Sequence, residues 1–245
     1  MKLETVCIPG GAPGETIELA ALRYIPETKI QDTALLFAHG FTSGKYSMDG
    51  LASYLAGRGY EGLTFDFVGH KLGATGGELH AMAQIPANLA QALNWLQIHS
   101  AARRIALIGH SMGAAAALAV AAAEGLKPES RLAGVACLCI GTDPSHGFHG
   151  LIGQTMLNQR ADYIAGAPAS ELIRELDSLV LSARAIPPLP TLFIAARQDV
   201  LVPVSRVEAL AALAPHSTLE VLDTSHLEAP DRARATLIRW LQEMQ

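Results

Sequence analysis

Between a short apolar run, Arg104 to Ile108, and ten unbroken apolar residues, Ala114 to Ala123, stands Gly109-His110-Ser111-Met112-Gly113. The ten-residue run is the strongest constraint on the fold. As a helix it is apolar on every side, so no face of it suits water, and it must lie between other layers of the molecule. It would rise about 15 Å, half of what a bilayer core needs, which predicts a buried helix rather than a membrane span.

The rest of the chain supplies those layers. Residues 2–8 and 16–24 flank Pro9-Gly10-Gly11-Ala12-Pro13-Gly14, a pattern that predicts an antiparallel hairpin. Further strands are predicted at 33–38, 62–67, 104–108, 132–140, 190–195 and 218–222. Helices are predicted at 47–56, 112–123, 203–214 and 229–244, and Ile85, Leu89, Ala92, Leu93 and Leu96 share one face of another. Apolar strands alternating with helices predict an α/β fold with a mostly parallel central sheet of about eight strands and helices on both faces. The 245 residues suit one such domain, 1–245. The stretch from Asp143 to Pro188 is too long for a simple connection and is expected to form a small cap insert, about 143–188. Helical spacing of Leu172, Leu176, Leu179 and Val180 predicts an amphipathic helix in its second half, roofing the site described below.

Composition narrows the partners. Eighteen basic against 23 acidic residues leave a net charge of −5, and no basic cluster exceeds Arg103-Arg104, so no nucleic-acid partner is expected. The start of the chain shows neither a basic nor a long apolar leader pattern, and no membrane partner is expected. The three cysteines, Cys7, Cys137 and Cys139, form no disulfide or zinc spacing. Cys137 and Cys139 alternate in an apolar strand and are expected to pack in the core. A reduced, cytoplasmic protein is the expectation.

The Gly109 to Gly113 run also carries the sharpest chemical signal. A serine on a tight strand-to-helix turn is strained and needs small neighbours, and its hydroxyl projects above the sheet edge. The helix N-terminus behind it favours developing negative charge. Two further features follow earlier strands: His39-Gly40-Phe41-Thr42 and Phe65-Asp66-Phe67-Val68-Gly69-His70. With these three features the chain resembles the α/β-hydrolase superfamily over essentially its whole length. It looks similar to small bacterial serine esterases and serine-aminopeptidase-like hydrolases, cinnamoyl-esterase types included. It departs from them at Lys71, where relatives often carry glycine.

The resemblance implies a site. Ser111 would be the nucleophile, and a hydroxyl near neutral pH needs a base beside it. The superfamily places that base on the loop after the last strand, which selects His226 over His216, which precedes the strand. Asp199 and Asp143 compete for the acid, and Gln198-Asp199 followed by Val202-Pro203 matches the commoner pattern. Asp66 reads as a structural turn residue. The backbone N–H groups of Phe41 and Met112 would form the oxyanion hole. A metal site of His39 with His70 or His110 lacks a carboxylate at ligand spacing, so neither cofactor nor metal is expected. His146 and His149 read as a solvated loop.

The expected activity is a serine hydrolase cleaving a small-molecule carboxylic ester or thioester through an acyl-enzyme. A peptidase or C–C bond hydrolase on the same triad, and a non-catalytic binding protein on the same scaffold, are the competing readings. The insert has few aromatics (Phe148, Tyr163) and no basic cluster, which predicts a compact, mainly apolar pocket for short to medium acyl chains.

Overall fold

The computed structural model describes residues 1–10, 17–28, 30–125, 127, 129–185, 189–214 and 216–244. Its strands are β1 (Lys2–Gly10), β2 (Ile17–Ile25), β3 (Thr33–Ala38), β4 (Gly62–Phe65), β5 (Arg104–His110), β6 (Leu132–Leu138), β7 (Thr191–Ala196) and β8 (Ser217–Leu222). They form one sheet in the order β1-β2-β4-β3-β5-β6-β7-β8. β1 and β2 pair antiparallel, as do β2 and β4, and all other neighbours are parallel. Residues 11–14 of the predicted hairpin turn lie outside the described residues, while Pro9 and Gly10 belong to β1.

The helices are α1 (Asp49–Ala56), α2 (Gln84–His99), α3 (Met112–Glu124), α4 (Leu151–Arg160), α5 (Ala169–Val180), α6 (Val204–Ala211), α7 (Ala229–Arg232) and α8 (Arg234–Glu243). Period-two alternation divides the core. In β5, Ile105 and Leu107 face the layer that holds α2, α3, α5 and α6, and Ala106 and Ile108 face α1 and α8. The alanine-rich α3 is enclosed by β5 and β6 on one side and by α2 and α5 on the others, which explains why it is apolar all round. No described helix is long and apolar enough to cross a membrane.

One expectation is corrected between β6 and β7. The stripe Leu172, Leu176 and Val180 of α5 does not roof the serine; it is buried in the main core, with α5 packed on α3. The apolar demand of α3 draws it there. The helix beside the pocket is α4, which no periodicity announced, because its Leu151 and Ile152 are exposed. Residues 186–188 of the expected insert lie outside the described residues.

Candidate active site

β5 ends at His110, Ser111 follows at φ 52° and ψ −118°, and α3 starts at Met112. A non-glycine residue at positive φ is strained, and the packing around it shows what maintains the strain. The Ser111 N–H donates to the Leu138 carbonyl at 2.8 Å, tying the turn to the end of β6. A Cβ on Gly109 would overlap the Gly113 carbonyl, and one on Gly113 would overlap the Ala38 carbonyl. Both glycines are therefore required by close approach of backbone to backbone.

His226 sits on the turn between β8 and α7, buried, with Nδ1 2.6 Å from Asp199 Oδ2. Asp199 follows β7 and is fully buried; its Oδ1 accepts the Leu201 and Val202 amides at 2.8 and 2.9 Å. Burial works against its charge, but His226 and the two amides outweigh it and hold the carboxyl below the usual carboxylate range. Asp143 is elsewhere: it pairs with Arg206 on an exposed surface, in a left-handed backbone conformation. Of the two competing aspartates, the structure brings only Asp199 to His226.

A pocket with about 90 Å³ of internal space opens over the turn. Gly40, Phe41, Thr42 and Ser43 line one wall, Ser111, His110 and His226 the floor, and Phe148, Met156, Leu157 and Arg160 the roof; Leu201, Leu227 and Pro230 close the far side. Met112 is the first residue of α3, where an amide has no carbonyl one turn back to bond. No acceptor for the Phe41 amide occurs among the described residues. A Cβ on Gly40 would stand 3.5 Å from that of Ser111, so the loop carrying Phe41 lies directly against the serine.

Three histidines support these loops. His39 Nδ1–H donates to the Gly40 carbonyl at 2.8 Å, and its Nε2 accepts the Phe67 amide at 3.1 Å. His110 Nε2–H donates to the His226 carbonyl at 2.9 Å, fixing the loop that carries His226. His70 Nδ1–H donates to the Val68 carbonyl, and its ring stands edge-on to His39. Burial pushes all three down, His39 well below its ordinary value, His70 to about 4 and His110 to about 3, so each is neutral. His146 and His149 stand edge-on to each other and do not line the serine's pocket.

Cys137 and Cys139 are both buried, but they do not share a role. Cys137 packs in the main core, whereas Cys139 lies behind Asp199. Burial, then the charge of Asp199 and a hydrogen bond to it, pushes the Cys139 thiol far up. Ligand atoms of His110, Cys139 and His226 come within 4.8 Å of one another. Each is committed otherwise: the thiol holds its proton, and the histidines are bonded to a carbonyl and a carboxylate.

Ser111 on a sharp turn at the carboxyl edge of a mostly parallel sheet, sharing a pocket with a histidine paired to a buried aspartate side chain, is the arrangement of a hydrolase fold. The chain belongs to the α/β-hydrolase fold family, whose model matches residues 33–163. Its structure is similar to an esterase of Pyrococcus furiosus, with 20% identity, coverage of 99% of this chain and 91% of that one, and a TM-score of 0.77. It is also similar to a malate-bound thermophilic esterase of Thermogutta terrifontis, with 21% identity, 98% and 99% coverage and a TM-score of 0.70. The esterase domain of a Rhodothermus marinus protein shares 26% identity, with 99% coverage of both chains and a TM-score of 0.71. No curated protein matches.

Proposed function

We propose that the protein is a serine hydrolase that cleaves a carboxylic ester, or a thioester, through an acyl-enzyme. The observation that carries this reading is the Asp199–His226 pair facing the same pocket as Ser111. With Nδ1–H donating to Asp199, Nε2 carries a lone pair and accepts the Ser111 proton. The serine Oγ attacks the carbonyl carbon, and charge builds on the carbonyl oxygen between the Phe41 and Met112 amides. Collapse breaks the bond to the alcohol, which leaves with the proton from Nε2. Water then repeats the sequence and releases the acid. Asp199 stays ionised throughout and balances the imidazolium.

The roof residues Phe148, Met156 and Leu157 support a mainly apolar acyl pocket of small size. Each added methylene that finds room contributes about 0.8 kcal/mol, so rates should rise along a chain-length series and fall once the pocket is full. The chain is a single domain, 1–245, in which the segment from about 143 to 188 supplies the cap through α4, while its α5 belongs to the core. Its partner is a small-molecule ester, not a nucleic acid or membrane, and the three free thiols support a cytoplasmic location.

A fluorophosphonate probe and a panel of p-nitrophenyl esters, acyl-thioesters and peptides test the reading. Labelling at Ser111 with a rate maximum on short to medium esters is expected. No labelling of the folded protein would make it a binding protein. A preference for peptides with a free amino terminus would make it a peptidase, and a maximum beyond about twelve carbons would contradict the small pocket.

A further inference from the structure

Arg160 closes α4 with its side chain in the wall of the serine's pocket. It is half-buried, and among the described residues its guanidinium has no ion pair, hydrogen bond or ring contact. No acidic side chain lines that pocket, and Arg160 is its only permanently charged lining residue among those described. Two other half-buried arginines of this chain have partners: Arg23 pairs with Glu61 and Arg131 binds backbone carbonyls. A guanidinium with no counter-charge of its own, set beside Phe148, Met156 and Leu157, is available to an anion that enters the pocket. Its planar fork is suited to a carboxylate, held bidentately.

We propose that Arg160 forms an anion subsite and that the substrate is an ester bearing a second, free carboxylate. The inference rests on the ester-hydrolase reading and specifies its substrate class. Ser111 receives the scissile carbonyl, the apolar roof covers the intervening carbons, and Arg160 takes the distal carboxylate. That carboxylate belongs either to the acyl chain, as in a monoester of a dicarboxylic acid, or to the leaving alcohol. The chemistry at Arg160 is the same in both cases.

The experiment separates the two sources. kcat/KM is measured for p-nitrophenyl hemiglutarate against p-nitrophenyl pentanoate, and for 4-carboxyphenyl butyrate against its methyl ester. One of the two charged esters should exceed its neutral counterpart about ten- to hundredfold in the wild-type protein. Arg160→Gln should collapse that ratio to about one, and Arg160→Lys should restore part of it, which a merely structural role would not do. A wild-type ratio of one or less for both pairs, or a ratio unchanged in Arg160→Gln, overturns the subsite. Ser111-dependent turnover of the neutral esters would then leave the hydrolase reading standing. A second readout needs no turnover: glutarate should raise the melting temperature of the wild-type protein and not of Arg160→Gln, and equal shifts overturn the proposal.

Discussion

Two aspartates, Asp66 after β4 and Asp199 after β7, have fully buried side chains and nearly the same shell. Asp66 accepts the amides of Lys45 and Ala74 and pairs with the Lys45 ammonium. Asp199 accepts two amides as well, and pairs with an imidazole. The partner makes the difference. Lys45 is itself buried and ends at its ammonium, so the first pair is closed and joins the loop at 44–45 to the loop at 73–75. An imidazole has a second nitrogen, so the second pair has an outlet into the pocket. One construction thus serves as a clamp or, in the proposed mechanism, as a proton relay, according to what lies beyond the cation.

The comparison breaks first on activity. Asp199→Asn presents an amide donor to His226 Nδ1, favours the wrong tautomer and should lower kcat about 10⁴-fold. Ser111→Ala, assayed in the same series, sets the floor, and a folded Asp199→Asn protein with near-normal turnover would place the acid elsewhere. Asp66→Asn should act on stability, because it leaves the Lys45 charge buried without its partner; about 3–5 kcal/mol should be lost in urea unfolding. Adding Lys45→Met removes that charge and should recover most of the loss. No recovery would mean that the aspartate's backbone contacts, not the ion pair, hold the loops.

Acid sharpens the contrast further. His70 and His110 are neutral when folded, down to about 4 and about 3, but take a proton near 6.5 once unfolded. Below that pH the unfolded chain binds more protons. Stability is therefore complete above pH 6.5 and is lost as pH falls toward 4, by ~1.4 kcal/mol per pH unit for each such histidine. Unfolding free energies at pH 7 and pH 5 check this, and a flat profile contradicts it. The smallest effect belongs to Asp143→Asn, whose exposed pair with Arg206 should cost under about 1 kcal/mol and leave turnover unchanged.

Strands buried on both faces are continuous apolar runs, so the parallel strands were legible, β3 to its ends and the others to within two residues. α3 was legible for a related reason, since a helix with no polar face has only one kind of place to go. α5 was legible as a helix but not in its neighbour: an amphipathic stripe says that a face is covered, not by what. α4 was hidden because its apolar residues point in two directions, Leu151 and Ile152 to solvent, Met156 and Leu157 into the pocket. Ser111 could be read from a local turn. The placement of Cys139 behind Asp199, His110 beneath His226 and Lys45 against Asp66 depends on which strands are neighbours, and no spacing in the chain encodes that order.

α4 buries Gly153 alone, while α5 buries Ala169, Leu172, Ile173, Leu176 and Val180. The side chains that would select a substrate therefore sit on a segment that contributes little to holding the molecule together. Substitutions in residues 151–160 should therefore cost less stability than substitutions at the buried positions of α5. In the proposed reading, rewriting that one helix is enough to change the substrate, with the serine turn and its supports left as they are.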